Sequence, residues 1–134
     1  METQCKQCQE MPFTHSFFIK EEDDTQVWFY SGEHHVSHVD RTVANVIAHI
    51  RGELAYFHQR APLKKWNWIL DGQEFEFRWD SIELVVEMVY VVKEYKSSFN
   101  GLYIKKANPF LQKTVEYCKP FVATEYLELL YFEE

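Results

Sequence analysis

The chain has 134 residues, of which 46% are hydrophobic and 17% aromatic, enough for one packed core and too many for a disordered chain. Its formal net charge of −7 disfavours nucleic-acid binding and simple electrostatic docking on anionic membranes, because both need clustered lysine and arginine. No apolar run approaches the roughly 20 residues that span a bilayer. The polar N-terminal sequence METQCKQCQEM and the odd number of three cysteines predict a soluble, cytoplasmic protein.

The first part of the chain predicts a polar tail followed by a β-hairpin. We expect residues 1–12 to form a flexible tail and residues 13–134 to form a single domain. Residues 14–20 and 26–30 are rich in aromatic and β-branched side chains, which favour strands. The acidic sequence EEDDT between them is typical of a turn, so the two strands should pair as a hairpin.

Three helices are predicted further along the chain. From residue 40 to residue 58, apolar side chains recur every three or four positions, and Pro62 prevents the helix from continuing. Residues 80–96 carry glutamates on one face and valines on the other. Residues 109–118 stand between two prolines, one suited to the first helical turn and one that ends the helix.

Strands are predicted between these helices. Residues 66–70 (WNWIL) read as a buried strand, and residues 102–105 and 127–132 as two further strands. The Asn-Gly pair at residues 100–101 predicts a turn. The order is therefore β-β-α-β-α-β-α-β, which indicates an α/β domain whose mixed, mainly parallel sheet is covered by helices.

The last part of the chain resembles the late part of CRAL-TRIO lipid-binding domains. Those domains have a short strand, an Asn-Pro-like step, a helix with an aromatic residue, a Lys-Pro-Phe sequence and another strand. The matching positions, in order, are Asn108, Pro109, Phe110, Lys119, Pro120 and Phe121. The strand ending in WILD resembles an upstream strand of the family, so the likeness covers residues 66–132. It implies binding of a lipid or another apolar small molecule, with contacts from Leu111, Val115, Phe121 and Tyr90.

The element order is also similar to that of STAS domains. In bacterial anti-sigma-factor antagonists, an Asp-Ser pair opens the helix that follows the strand ending in Asp. Asp80 and Ser81 occupy the comparable place here, although residues 82–84 are Ile-Glu-Leu where Ser-Gly-Leu usually follows. This second resemblance implies a protein-interaction domain that is regulated by phosphorylation of Ser81.

Two groups of histidines and cysteines have spacings that suggest a metal or redox site. His34, His35 and His38 could bring two imidazoles together at a zinc ion, but a fourth ligand cannot be assigned and the sequence has no HExxH motif. Cys5 and Cys8 form a CxxC pair that precedes the first predicted strand, outside the strand–helix context of redox sites. We therefore predict no bound metal and no cofactor.

Four carboxylates, from Asp71, Glu74, Glu76 and Asp80, follow the 66–70 strand, at the end of a strand where open α/β sheets bind ligands. The alternation of FEFR is also typical of a half-exposed extension. The sequence assembles no nucleophile, base and oxyanion donor, so we predict that the chain is not an enzyme. The predicted function is binding of an apolar small molecule or lipid, with binding of a protein partner as the alternative and no role for nucleic acid.

Overall fold

The computed structural model describes residues 17–32, 42–72 and 81–133. The strands are β1 (Phe18–Glu22), β2 (Gln26–Gly32), β3 (Lys65–Asp71), β4 (Phe99–Lys105) and β5 (Leu130–Glu133). The helices are α1 (Val43–Arg60), α2 (Ser81–Glu94), α3 (Pro109–Cys118) and the short α4 (Thr124–Leu127), with 3-10 turns at Lys96–Ser98 and Lys119–Phe121. The predicted α/β class with a mixed, mainly parallel sheet is confirmed.

The five strands lie in the sheet in the order in which they occur in the chain. β1 pairs with β2 in antiparallel fashion, and β2, β3, β4 and β5 are parallel to one another. Each helical crossover thus moves to the next strand in the same direction. Right-handed crossovers that never change direction put α1, α2 and α3 on the same face of the sheet. In agreement with this arrangement, α1 contacts α2 and α2 contacts α3.

The hydrophobic core lies between these helices and one face of the sheet. Its fully buried side chains come from β2 and β3 and from α1 and α2: Val27, Phe29, Trp66, Trp68, Leu54, Phe57 and Val91. The ring of Phe29 stacks on that of Phe17, with centres 4.6 Å apart, and meets Phe57 edge-on. The predicted strand at residues 66–70 is therefore the central strand of the sheet.

Both core tryptophans have partners for their polar tips. Trp68 Nε1 donates to the buried Ser31 Oγ at 2.9 Å, and Trp66 Nε1 donates to the Tyr95 carbonyl oxygen at 3.2 Å. A buried indole N–H without a partner would cost a lost hydrogen bond. The two rings therefore add their apolar area to the core without that penalty.

The opposite face of the sheet carries the alternate side chains of the same strands. They are mainly aromatic and polar: Trp28, Tyr30, Asn67, Ile69, Tyr103 and Tyr131. Asn67 is buried there because its Nδ2 donates to the Val27 carbonyl oxygen and to Gln26 Oε1, both at 3.1 Å. The rings of Tyr103 and Tyr131 stack with centres 5.0 Å apart.

The turn predicted at residues 100–101 is wrong, since Asn100 and Gly101 lie inside β4. The pairing of β4 with β3 shifts by one residue at this point, so Asn100 is the extra residue of a bulge. Asn100 Nδ2 donates to Gln26 Oε1 at 3.2 Å, which anchors the bulge. A Cβ on Gly101 would lie 2.8 Å from Tyr131 Cε2, so the glycine is needed for packing.

The strand predicted at residues 127–132 begins only at Leu130, because the preceding residues form α4. Leu127 N donates to the Ala123 carbonyl oxygen at 3.3 Å, and Glu128 N donates to that of Thr124 at 3.1 Å. The first strand also differs: it is β1, Phe18–Glu22, rather than residues 14–20, of which residues 14–16 lie outside the described part of the chain.

Glu22, at the end of β1, binds two cations. Arg60 Nη1 and Nη2 donate to its carboxylate oxygens at 2.9 and 3.1 Å, and Lys64 Nζ donates at 2.7 Å. These contacts, the hydrogen bonds from Arg60 foremost, hold the pKa of Glu22 below its ordinary value of 4.5. They join the edge strand to the last residue of α1.

Replacing Glu22 by glutamine should lower the free energy of unfolding at neutral pH by about 1 kcal/mol. Because the pKa is lower in the folded state, the carboxylate stabilises the protein above its unfolded-state pKa, and this contribution disappears as pH falls through the folded-state pKa. Urea unfolding at neutral and acid pH should show a difference between wild type and variant that vanishes in acid. Glu21→Gln, at an exposed neighbour, is the control, and an equal effect of both changes would contradict the prediction.

Gly72 lies where β3, β4 and α3 meet. Its N–H donates to the Lys105 carbonyl oxygen at 2.8 Å, and its own carbonyl oxygen accepts from Asn108 N at 3.3 Å. A Cβ at this position would overlap Leu111 Cδ2 and would lie 3.2 Å from the Ala107 Cα.

We expect Gly72→Ala to destabilise the fold by about 1–3 kcal/mol, because the added methyl group enters a filled space. The Leu111→Ala change creates that space, so the double variant should lose less stability than the sum of the two single changes. Denaturant titration of all four proteins measures this coupling, and additive losses would show that Gly72 and Leu111 do not compete for the same volume.

Candidate functional site

Helix α3 begins and ends where its flanking residues led us to expect. Asn108 is the N-cap, and its Oδ1 accepts a hydrogen bond from Leu111 N at 2.9 Å. Pro109 occupies the first helical position, where a backbone N–H would have no helical acceptor. After Cys118 the chain enters the 3-10 turn Lys119–Phe121. The helix thus holds its side chains at defined positions between β4 and α4.

The inner side of α3 packs into the protein. Leu111, Thr114 and Cys118, spaced three and four residues apart, are all buried. Thr114 Oγ1 donates to the Phe110 carbonyl oxygen at 2.8 Å, so its hydroxyl is paired. Burial raises the pKa of the Cys118 thiol, which keeps it protonated and a poor nucleophile.

The outer side of α3 exposes large aromatic rings. Phe110 and Tyr117, seven residues and about two helical turns apart, are 59% and 62% exposed, and Phe121 in the following turn is 78% exposed. The rings of Tyr117 and Phe121 lie 6.2 Å apart. A group of exposed aromatic side chains within twelve residues is the kind of apolar patch that marks a binding surface.

The neighbouring helix α2 also exposes apolar side chains. Val86 and Tyr90, one turn apart on α2, are both exposed. We call the five exposed side chains of these adjacent helices the α2–α3 surface: Val86, Tyr90, Phe110, Tyr117 and Phe121.

The two sides of α2 differ in charge. Arg51 of α1 donates to Glu94 through Nη2 at 2.7 Å and through Nε at 3.1 Å. This hydrogen bond raises the pKa of Arg51, and the charge of Glu87 adds to the effect, so the acidic side of α2 faces α1. Lys93 Nζ lies 5.7 Å from the ring centre of Tyr126 in α4. The side of α2 away from α1 therefore carries a cation.

The segment that contains α3 is locally basic within an acidic protein. Residues 105–121 include four lysines and one glutamate, whereas the whole chain has a net charge of −7. Lys119 Nζ pairs with Glu116 at 2.7 Å, and Lys105 Nζ lies 3.7 Å from a carboxylate oxygen of Glu133. Lys113 is exposed on the outer side of α3 between Phe110 and Tyr117, and it forms no ion pair with any residue that the structure describes. The α2–α3 surface thus combines aromatic rings with an unpaired positive charge.

The structure separates the ligand-binding residues that the sequence predicts. Leu111 lies in the interior beside Gly72, and Val115 is half-buried. Tyr90 and Phe121 are exposed and belong to the α2–α3 surface. Ser81, the predicted phosphorylation site, is the first residue of α2.

The predicted metal and redox candidates fall elsewhere. His34, His35 and His38, like Cys5 and Cys8, lie outside the described residues. Within residues 17–32, 42–72 and 81–133, no group of three histidine, cysteine, aspartate or glutamate side chains is arranged to hold a metal ion.

Of the four predicted carboxylates, only Asp71 belongs to the described residues; Glu74, Glu76 and Asp80 lie outside them. Asp71 Oδ2 accepts a hydrogen bond from the Tyr30 hydroxyl at 3.0 Å. Burial and then this hydrogen bond raise the pKa of Tyr30 to about 12. The pair therefore holds the phenol in its protonated form.

The strand order bears on where a ligand can bind. Open α/β sheets bind ligands at the point where the direction of strand order changes, because crossovers diverging to opposite faces leave a crevice there. The order β1 to β5 never changes direction in the described sheet. The described part of the sheet therefore has no crevice of this kind.

The structure also joins two residues that sequence analysis did not single out. His58 Nε2 lies 2.6 Å from Ser98 Oγ, and His58 Nδ1 lies 2.8 Å from the Leu54 carbonyl oxygen. Since a carbonyl oxygen only accepts, Nδ1 carries a proton. The Ser98 hydroxyl has two acceptors within reach, His58 Nε2 and the Tyr95 carbonyl oxygen at 3.3 Å. The arrangement is that of a base and a nucleophile, yet Ser98 is only 8% exposed. The contact therefore ties the end of α1 to the start of β4, across 40 positions of sequence that carry no local signal of it.

Similarity to known proteins does not assign the site. No protein-family model matches the chain, and no curated protein is significantly similar to it. Among the described helices, none combines the length and apolar character needed to cross a bilayer.

Replacing Asn108 by alanine should destabilise the protein by about 1 kcal/mol, because Leu111 N would lose its capping acceptor. Asn108→Asp and Asn108→Ser retain a side-chain oxygen and should keep most of the stability. Thermal unfolding followed by circular dichroism compares the three variants. Equal losses in all three would show that the cap does not stabilise α3.

Proposed function

We propose that the chain is a non-enzymatic protein-binding module and that its partner docks on the α2–α3 surface. The observation that carries the proposal is the exposure of large apolar side chains on two adjacent helices whose inner sides are packed against the protein. In a monomer these rings remain in water, where they contribute nothing to the core. A partner that covers them removes that apolar area from solvent.

The energy available from such docking is substantial. Burying a large apolar side chain is worth roughly 1.5–3 kcal/mol, so Phe110, Tyr117 and Phe121 together can offset a large part of the cost of association. Aromatic side chains also have only two rotatable angles to restrict, which keeps the entropic cost of ordering them low. These features are typical of the anchor residues that dominate protein interfaces.

The packing beneath α3 supports an outer rather than an inner binding site. A lipid held between the last two helices and the sheet would have to separate side chains that are now buried. Leu111 and Thr114 of α3 are buried on that side of the helix. Opening it would expose core residues, whereas a protein partner on the α2–α3 surface needs no rearrangement.

A second candidate function is binding of a lipid or another apolar small molecule, as the likeness to CRAL-TRIO domains implies. The half-buried Val89 of α2 and Val115 of α3 are the observation in its favour, because they leave apolar surface of these two adjacent helices partly exposed. Regulation at Ser81 is compatible with either function, since a phosphate at the first residue of α2 would meet free N–H groups and the positive end of the helix dipole.

Changing Phe110 and Tyr117 together to serine should abolish partner binding and leave the melting temperature nearly unchanged, because both rings are exposed. Leu63→Ser is the matched control, since Leu63 is 95% exposed but lies in the loop between α1 and β3. The measurement is photo-crosslinking in cells that express the chain naturally, with benzoylphenylalanine at position 117 or at position 63. The same protein should be captured only from position 117, and capture from both positions alike would contradict a specific surface.

Mass spectrometry separates the two candidate functions. The native mass of the purified protein should equal its denatured mass if the partner is another protein. An additional mass that is lost on denaturation, and that organic extraction identifies as a lipid, would favour the second candidate. In that case Val115→Trp should displace the lipid, while Leu63→Ser should not.

A further inference from the structure

We propose that the partner of the α2–α3 surface is an acidic amphipathic helical segment of another protein. This inference rests on the proposed function and adds the chemistry of the partner. Two properties of the surface carry it: the linear spacing of its aromatic rings and the positive charge among them.

The spacing of the rings matches one stripe of a helix. Phe110 and Tyr117 are seven residues apart on α3, which separates them by about 10 Å along the axis. Val86 and Tyr90 on the adjacent α2 add a second apolar row. An amphipathic partner helix with apolar side chains at spacings of three, four and seven residues can contact both rows, as helices do in apolar grooves.

The positive charge beside the α2–α3 surface favours a partner with acidic side chains. Lys113 projects from the outer side of α3 between the two rings and has no anionic partner among the described residues. Lys93 lies on the side of α2 away from α1, and the acidic Glu94 is engaged by Arg51 on the other side. Carboxylates beside the apolar stripe of a partner would therefore meet lysines.

The net charge of −7 does not oppose this contact. At physiological ionic strength, charges more than about 8 Å apart in solvent are largely screened. A short segment on α3 senses mainly Lys113, because Lys119 pairs with Glu116 and Lys105 pairs with Glu133. An anionic bilayer is an extended plane that also approaches the acidic remainder of the molecule, so the charge distribution favours a peptide segment over a membrane.

The first test is selection from a displayed library of amphipathic helical peptides against the full-length chain. The apolar positions of the library are constant, and its polar positions vary among glutamate, lysine, glutamine and serine. We expect enrichment of glutamate-rich peptides that is lost when the target carries Phe110→Ser and Tyr117→Ser.

The outcomes distinguish the inference from the proposed function. Enrichment that needs the two rings but shows no preference for glutamate would overturn the inference and leave the proposed function standing. Absence of any enrichment that depends on the rings would overturn both. Binding of the chain to vesicles of phosphatidylcholine and phosphatidylserine, lost in the same double variant and stronger than binding to any selected peptide, would overturn the inference in favour of a membrane.

The second test is titration of a selected glutamate-rich peptide by fluorescence anisotropy. Lys113→Glu should weaken binding about tenfold, because it replaces attraction by repulsion, and added salt should reduce the difference. Lys65→Glu, an equal change of charge at the start of β3, should have little effect. Equal losses for Lys113→Glu and Lys65→Glu would show that only net charge matters and would overturn the role of Lys113.

Discussion

The direction of the crossovers determines on which face of the sheet the helices lie. A right-handed connection between parallel strands places its helix on one particular face, and each connection from β2 to β5 advances to the next strand in the same direction. The helices therefore form a single layer on one side of the sheet. Within the described residues, the sheet therefore lacks the crevice of doubly wound folds, and α2 and α3 lie side by side in the helical layer.

The exposed apolar side chains of the α2–α3 surface are not needed for the core, because other side chains fill it. The interior is built from the tryptophans of β3 and the aromatic side chains of β2 and α1, with the indole N–H groups paired to Ser31 and Tyr95. Leu111 joins this interior beside Gly72, whereas its neighbour Phe110 faces solvent. One side of α3 thus packs into the core, and the other side remains exposed to solvent.

Charged residues are also unevenly distributed over the layer formed by α1, α2 and α3. Glu94 and Glu87 of α2 lie near Arg51 of α1, whereas Lys113 is exposed on α3. The protein is acidic as a whole, but Lys113, which has no ion pair among the described residues, lies between the exposed rings of Phe110 and Tyr117. Because screening in salt solution makes nearby charges dominate, a partner that contacts α3 meets an environment opposite in sign to the net charge.

The sequence alone determined the elements whose signals are local. The prolines on either side of α3 predicted its limits, and Asn108 occupies the capping position that its residue type favours. The apolar run WNWIL predicted a buried strand, which is the central one of the sheet. Local steric and hydrogen-bonding rules act over a few residues, so a single segment contains the information.

Only the tertiary structure decided the features that depend on distant partners. The Asn-Gly pair at residues 100–101 has the composition of a turn, but Gln26 and Tyr131 hold it inside β4. Phe110 and Leu111 are adjacent and similarly apolar, and only the position of α3 on the sheet exposes one and buries the other. Likewise, His58 and Ser98 meet only because α1 and β4 end and begin at the same edge of the fold. Such contacts join segments tens of residues apart, and their free energy depends on the packed geometry rather than on any local pattern.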